Sequence, residues 1–337
     1  MHRRERGLVA VALACGVAAV AVDLEYHVHE WGLPTVAALR HALLSAPASV
    51  LARLASACGF EIFLPLVPAL IWSGSRRAGA LGLRLLALLH YSLLLVSLAK
   101  TWFREPRPLH LLREHSGSGS MAVDGASALD SVEYSFPSGH SWATTVAWLT
   151  VVDTYSASYA QLRWLAAACI AATAASRVYF ALHFVHDVGS GIALGVLTFF
   201  AAPSLLSDSR RALAARLVLL ATAGYVLIAA FEAHHRQKQL GAWYSLGALV
   251  TLAFVPPRAP LLDAAAAAKP GLSPSRLAWR LLVGLTPLGL GLGLIFIRVV
   301  RGQRDTELEI ILLLAGAAGA TWVTVGAPAV FRRLSLA

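Results

Sequence analysis

Charged residues are scarce in this sequence, and their scarcity excludes an ordinary soluble domain. Only 14% of the 337 residues are charged, whereas 58% are hydrophobic. Soluble domains carry about 25% charged and about 45–50% apolar residues. Long apolar runs recur along the whole chain, and the mean hydropathy is +0.66. We therefore predict an all-α, polytopic membrane helical bundle.

Cysteine is scarce as well, which excludes a disulfide framework. Cys15, Cys58 and Cys169 are scattered in or beside apolar segments, as small core residues are. Acidic residues are outnumbered by basic ones, 18 to 28. The basic residues lie in short clusters between apolar runs, a pattern that sets membrane topology rather than one that binds nucleic acid.

The apolar runs predict membrane spans at regular intervals. The run at 8–22 follows three arginines and is either a first span or a cleaved secretory signal. Residues 35–55 are mixed and predict an amphipathic helix at the membrane interface. The remaining spans are predicted near 59–73, 79–99, 138–152, 162–180, 187–205, 212–231, 240–256, 279–299 and 310–330.

The arginine clusters predict an orientation. If 8–22 spans the membrane, the pairs at 76–77, 210–211 and 332–333 lie on the same side as the N-terminal arginines. That side is cytoplasmic by the positive-inside rule. The loop at 101–136 then lies on the periplasmic, lumenal or external side, and it is either a mobile flap over a site or a solvated linker.

The run from Pro137 to His140 has the chemistry of a phosphate cradle. Pro137 suits the first turn of a helix, and Ser138 is a natural N-cap. Gly139 lets backbone N–H groups come close to an anion at a helix N-terminus. His140 can hold or give a proton near neutral pH. The run predicts an anion site with its own acid.

Cations and a histidine stand at the ends of neighbouring apolar runs. Lys100 and Arg177 each end a run, and Arg107 begins a loop. Cations at a membrane edge cost energy unless they snorkel or bind something, and the arginine fork fits two phosphoryl oxygens. His183 and Asp187 are four residues apart, so on a helix they would share one face. The carboxylate would then fix the tautomer of the ring.

These residues together predict phosphoryl transfer without a metal. His183 would attack phosphorus, His140 would protonate the leaving oxygen, and water would then release phosphate. Three cations would replace a metal in stabilising the developing charge. The alternative is a partial metal site of His183, His186 and Asp187, to which another helix would have to add ligands. The groups predicted to hold the phosphoryl oxygens are Lys100, Arg107, Ser138, Gly139 and Arg177.

The three motifs, Lys-x6-Arg-Pro, Pro-Ser-Gly-His and Ser-Arg-x5-His-x3-Asp, resemble the signature of the type 2 phosphatidic acid phosphatase superfamily. The resemblance implies a phosphohistidine intermediate, inhibition by vanadate and a six-helix core. It divides the chain into an N-terminal segment (1–58), a phosphatase core (59–205) and an extension of about four spans (206–337). The matched positions are Lys100, Arg107, Pro108, Pro137, Ser138, Gly139, His140, Ser176, Arg177, His183 and Asp187.

Residues beside and within the second and third motifs indicate the class of substrate. Residues 133–136 are similar to those of sphingoid-base-phosphate phosphatases. Residues 183–186 are similar to those of glucose-6-phosphatase, but that group lacks the acid found here at Asp187. We therefore predict a lipid phosphate monoester: phosphatidate, a sphingoid-base phosphate or a polyprenyl (di)phosphate. The alternatives are a sugar phosphatase, a lipid phosphotransferase, and a transporter or scaffold built on an inactive core.

The C-terminal extension carries glycines at packing distances. Gly289 and Gly293 have small-xxx-small spacing, and Gly316 and Gly319 follow in the last span. Such glycines predict close helix packing, either within the chain or in a homo-oligomer. The other predicted partners are the lipid substrate and the bilayer.

Overall fold

The protein is described by a computed structural model over residues 32–39, 46–116, 134–206, 219–226, 240–254, 273–300, 306–334 and 336. These residues are mostly helical, and none of them forms a strand, which confirms the all-α class. The apolar run at 8–22, the central part of the predicted flap (117–133) and most of the predicted span at 212–231 lie outside the described residues.

The helices follow the apolar runs in chain order. Two short π-helical segments, Ala57–Glu61 and Trp322–Gly326, lie between α-helices. The α-helices are α1 (32–39), α2 (Ala46–Ser56), α3 (Phe63–Trp72), α4 (Arg76–Phe103), α5 (Pro108–Ser116), α6 (Gly139–Tyr155), α7 (Leu162–Tyr179), α8 (Val185–Leu205), α9 (219–226), α10 (Leu240–Phe254), α11 (Pro274–Val300), α12 (Thr306–Thr321) and α13 (Ala327–Arg333).

The chain forms two compact units, and the first contains every predicted site residue. It lies within residues 1–62 and 99–203. One apolar cluster joins α1, α5, α7 and α8 through buried side chains such as Val36, Leu109, Val178 and Val188. Helix α7 also packs against α2 and α6. This packing fixes the helix ends at which the polar motifs lie.

A sharp reversal connects α7 to α8. Ala181 has φ of 54°, a conformation that residues other than glycine rarely adopt. Its carbonyl accepts a hydrogen bond from the Leu109 N–H at the start of α5, with N···O of 2.9 Å. Ala181 is fully buried. The turn before α8 is therefore held by its neighbours rather than left exposed.

Helix α6 begins at the Pro-Ser-Gly-His run. Ser138 is the N-cap, as predicted, and its side chain accepts from the Ser141 N–H. Pro137 lies before this cap, so its predicted place in the first helical turn was wrong. Thr145 and Thr150 donate to carbonyls one turn earlier, at 2.7 Å each. Back-bonding of this kind lets hydroxyl groups stay buried in an apolar helix.

The helix before the family motifs is longer than the sequence predicted. Residues Ala48–Trp72 form one candidate span through α2, the π-helical segment and α3. The predicted span at 59–73 is therefore extended towards the N-terminus. Residues 48–55 belong to it, so assigning 35–55 to a separate interfacial helix was wrong for that part.

The second unit lies within residues 63–98 and 204–337. Helices α10 and α12 cross closely at Gly247 and Gly316, where an added Cβ would strike the backbone of the other helix. The packing predicted for Gly316 is therefore present within the chain. At Gly289 and Gly293 an added Cβ would meet nothing within 4 Å among the described residues. Packing of that pair within the chain is not observed, and its predicted role in a homo-oligomer stays a prediction.

Four described helical segments are long and apolar enough to cross a membrane. Two shorter apolar helices, Val185–Ala201 and Ala242–Ala253, accompany them. The four are Ala48–Trp72, Arg76–Phe103, Pro274–Ile295 and Ile310–Arg333. The predicted polytopic bundle is confirmed.

Candidate active site

The site is built around the first turn of α8. Asp187 is the third residue of this helix, and its Oδ2 accepts from the Phe184 N–H at 2.8 Å. A carboxylate at this position commonly caps its own helix in this way. The same oxygen lies 3.4 Å from Nδ1 of His183. His183 is thus outside α8, and the predicted shared helix face was wrong. The two side chains meet because the cap reaches backwards.

The segment before α6 is fastened to this turn. The Ser138 N–H donates to the Asp187 carbonyl at 3.1 Å. The Ser135 hydroxyl donates to Asp187 Oδ2 in a very short hydrogen bond. An added Cβ at Gly191 would lie 2.5 Å from the Ser138 carbonyl oxygen, so glycine is needed for this close approach. The structure therefore brings the Pro-Ser-Gly-His run to the His183–Asp187 pair.

His183 is neutral at physiological pH. Its side chain is 2% exposed. Burial lowers the pKa of His183 to about 3, and the charges of Arg107 and Lys100 add in the same direction against the opposing effect of Asp187. A neutral ring beside a carboxylate carries its proton on the near nitrogen, Nδ1. The lone pair is then on Nε2, which is the arrangement of a nitrogen nucleophile.

Three buried cations belong to the same unit. Lys100, Arg107 and Arg177 are 6%, 2% and 5% exposed. Lys100 lies in the last turn of α4, and Arg107 immediately precedes α5. A buried cation costs several kcal/mol unless anionic or hydrogen-bonding groups compensate it. Snorkelling, which keeps the charged group in water, does not describe these side chains.

Arg177 is connected both to the His183 turn and to α2. Its carbonyl accepts from the Leu182 N–H at 3.1 Å. Its Nη2 donates to the Ser56 hydroxyl at 2.6 Å, and its guanidinium lies over the Phe180 ring at 5.7 Å. These contacts hold the fork-shaped donor in one orientation, which bidentate binding of an oxyanion requires.

The remaining predicted residues lie at the start of α6. Ser138 is fully buried, and its Oγ accepts from the Ser141 hydroxyl at 3.1 Å. Gly139 opens the helix, and a helix N-terminus favours an anion. His140 follows, and its side chain is 30% exposed. Its Nε2 lies 3.2 Å from Oε1 of Glu61.

Sequence reasoning missed several functional neighbours, above all Glu61, Glu105 and Ser135. Each contacts a predicted residue from a distant part of the chain, so spacing along the sequence gave no indication of them. Glu61 is an acid within an apolar run, and Glu105 lies between Lys100 and Arg107 in the first motif. Those two positions were the only signal available.

His186 lies between two carboxylates and two aromatic rings. Its Nε2 is 3.1 Å from Oε1 of Glu105 and 3.1 Å from Oδ1 of Asp187. The rings of Phe136 and Phe184 stack on it, with centroids at 5.9 and 5.3 Å. Burial raises the pKa of the Glu105 carboxyl, and the nearby charge of Asp187 adds to the effect, although hydrogen bonds from His186 oppose it.

Among the described residues, Glu105, His186 and Asp187 form a group that could hold a metal ion. Ligand atoms of Glu105, His186 and Asp187 all lie within 4.8 Å of one another. The sequence analysis named His183 with His186 and Asp187 as the alternative metal ligands. In the structure Glu105, from the loop after α4, takes the place of His183 in that group. A hydrogen bond between His186 Nε2 and Glu105 and an ion pair of the same nitrogen with Asp187 Oδ1 already account for these distances.

The fold and the site together define a class of protein. A helical membrane bundle presents a buried neutral histidine, an orienting carboxylate and three buried cations. Residues 81–211 match the family model of the PAP2 superfamily. This confirms that the chain carries a domain of the type 2 phosphatidic acid phosphatase superfamily, whose members are phosphatases. The chain is thus an integral membrane protein with a phosphatase core for phosphate esters. No curated protein and no solved structure matches the chain.

Proposed function

We propose that this protein hydrolyses a lipid phosphate monoester through a phosphohistidine on His183. The observation that carries the proposal is the ring of His183, buried, neutral, and hydrogen-bonded through Nδ1 to Asp187. Lys100 and Arg107 act on the same ring through their charges. A neutral imidazole held beside two cations suits attack on an anionic phosphoryl group.

The first step forms the phosphoenzyme. Nε2 of His183 donates its electron pair to phosphorus as the bond from phosphorus to the ester oxygen breaks. His140 gives a proton to that oxygen, so the lipid leaves as an alcohol. The His183 ring becomes cationic on phosphorylation, and Asp187 stabilises it through the Nδ1–H.

The second step returns the enzyme to its resting state. His140, now neutral, takes a proton from water as the water oxygen attacks phosphorus. The bond between phosphorus and Nε2 breaks, and the electron pair returns to His183. Inorganic phosphate leaves, and both histidines regain their starting protonation.

The phosphoryl oxygens are bound by Lys100, Arg107 and Arg177, with the Ser138 hydroxyl and the Gly139 N–H at the start of α6. The helix N-terminus adds a favourable partial charge. Three cations spread the developing charge over the equatorial oxygens, so the steps above need no metal. The chemistry proposed here therefore assigns Glu105 and His186 no metal-binding role.

A lipid substrate is supported by where the site residues lie in the chain. Lys100 and Arg177 end apolar helices, so they stand at the level of a phosphate whose lipid tail lies in the membrane. The arginine clusters support a site on the periplasmic, lumenal or external face. Of the alternatives, a sugar phosphatase and a lipid phosphotransferase would use the same cluster of residues.

The test is a phosphate-release assay on the full chain in vesicles. Phosphatidate, a sphingoid-base phosphate and a polyprenyl diphosphate are compared with glucose 6-phosphate. We expect kcat/KM for a lipid phosphate to be at least roughly tenfold higher than for glucose 6-phosphate. Vanadate should inhibit phosphate release, and a strong chelator should leave its rate unchanged. Preference for glucose 6-phosphate would overturn the lipid assignment. Loss in chelator that is reversed by a divalent ion would overturn the metal-free mechanism.

The lowered pKa of His183 predicts how phosphoenzyme formation depends on pH. A protonated imidazole cannot attack, so attack fails only below the pKa of the ring. Because burial lowers that pKa from 6.5 to about 3, we expect the phosphoenzyme burst at pH 5 to have at least about half its amplitude at pH 7. Rapid-quench measurement of the burst at both pH values provides the check. A burst that disappears with a midpoint near 6.5 would contradict the proposed state of His183.

A further inference from the structure

The helix that begins at Ala46 is interrupted next to the site. The π-helical segment Ala57–Glu61 separates α2 from α3, and Gly59 within it has non-helical angles, φ −83° and ψ −119°. Single π-helical turns inside helices occur frequently at functional sites. Glu61 ends this segment and places a carboxylate inside the candidate span Ala48–Trp72. A carboxylate there is costly unless it is paired.

Side chains of α6 and α7 hold the interruption in place. The Trp148 Nε1–H donates to the Cys58 carbonyl at 3.3 Å. The Thr173 hydroxyl donates to a backbone carbonyl of α2 at 3.2 Å. An added Cβ at Gly59 would lie 2.5 Å from the Thr173 hydroxyl oxygen and 2.8 Å from that of Thr144. The turn is therefore fitted closely against two neighbouring helices, and its geometry fixes where Glu61 points.

Glu61 connects two residues of the proposed mechanism. Its Oε1 lies 3.2 Å from Nε2 of His140 and accepts from the Ser56 hydroxyl at 2.9 Å. Ser56 in turn accepts from Arg177 Nη2 at 2.6 Å. A continuous chain of hydrogen bonds thus runs from a cation assigned to the phosphoryl group to the histidine assigned as the acid.

We propose that Glu61 is a positioning residue for the acid step. This inference rests on the proposed function, in which His140 protonates the leaving oxygen. Glu61 holds Nε2–H, so the ring presents Nδ1, the nitrogen that Glu61 does not contact, to the leaving oxygen. The proton leaves from Nδ1 and is later regained there from water, while Nε2–H stays with the carboxylate. Glu61 lies outside the part of the chain matched to the family, residues 81–211.

The test is Glu61→Gln in the full chain, assayed with two substrates. The leaving group of an alkyl phosphate is a strongly basic alkoxide, which needs a proton from the acid. The leaving group of p-nitrophenyl phosphate is a weakly basic phenolate, which departs without one. Because His140 is also the base of the second step, the first step is measured alone, in a single turnover. We expect the rate of phosphoenzyme formation to fall roughly tenfold to hundredfold for the alkyl phosphate and less than about threefold for p-nitrophenyl phosphate. An equal loss on both substrates, or no loss on either, would overturn the positioning role.

Two further variants separate this inference from the function on which it rests. Cys58 lies on the same π-helical turn as Glu61, and its side chain is exposed. We therefore expect Cys58→Ser to have wild-type rates on both substrates. In the rate of phosphoenzyme formation, His140→Ala should show the same substrate difference as Glu61→Gln, with no further loss of that rate in the double variant. If His140→Ala lacks the difference, the acid assignment itself fails. If only Glu61→Gln lacks it, the acid assignment stands and the role of Glu61 is wrong.

Discussion

Replacing His183 with alanine should abolish both turnover and the phosphoenzyme. The change removes the only atom proposed to bond to phosphorus, Nε2, and leaves the three cations in place. We expect phosphate release from a lipid phosphate to fall by roughly 10⁴-fold or more, as when a covalent nucleophile is removed from other hydrolases. Release is measured on vesicles, and the phosphoenzyme is trapped by rapid quenching with radiolabelled substrate.

The matched control is His90→Gln, a change at a half-buried histidine of α4. Its Nδ1 lies 2.7 Å from the Leu86 carbonyl, and its ring stacks on Tyr244. Neither of these partners is a residue of the site. This variant should form the phosphoenzyme normally. Size-exclusion chromatography in detergent reports folding for both. A trapped phosphoenzyme in His183→Ala, on a protein that elutes like the wild type, would show that the nucleophile is a different residue.

Much of the site could be predicted because its residues stand at helix ends. Ser138 is predicted as an N-cap from local sequence alone, since a hydroxyl before a helix satisfies a free N–H. Lys100 and Arg177 are conspicuous because buried cations are rare in apolar helices. Their burial in the structure, at 6% and 5% exposed, agrees with a role in binding. Local rules predict such positions well.

The partners of those residues could not be predicted, because they are set by tertiary packing. Ser135 reaches Asp187 across 52 positions, and Glu61 reaches His140 across 79. No periodicity in the sequence encodes a contact between segments so far apart. The π-helical turn at Ala57–Glu61 was missed for the same reason, since it depends on hydroxyl and indole groups supplied by α6 and α7.

The predicted contact between His183 and Asp187 is present, but it arises from a different geometry. A spacing of four residues predicts two side chains on one helical face. The contact is present, but His183 precedes α8, and Asp187 reaches back to it while capping the Phe184 N–H. One carboxylate thus stabilises the helix start and orients the ring. Because both tasks fall to Oδ2, a change at Asp187 acts on the turn and on His183 together.

Replacing Asp187 with asparagine should therefore have the second largest effect. The amide keeps the volume, but it loses the charge that stabilises the phosphorylated, cationic ring. Its NH₂ group, if turned towards Nδ1, would also favour the wrong tautomer. Loss of an orienting carboxylate lowers kcat by roughly 10³–10⁴-fold where a histidine depends on it. Single-turnover kinetics on a lipid phosphate should show this loss in phosphoenzyme formation, with little change in KM.

Ser135→Ala separates orientation from charge. It removes one donor to Asp187 Oδ2 and leaves the carboxylate and its bonds to His183 and Phe184. We expect a loss of no more than about tenfold, the cost of one hydrogen bond. Equal losses in Ser135→Ala and Asp187→Asn would show that packing of the turn, rather than the charge of Asp187, controls His183. A much larger loss in Asp187→Asn assigns the carboxylate to the chemistry, because only that variant changes the proton and the charge at Nδ1.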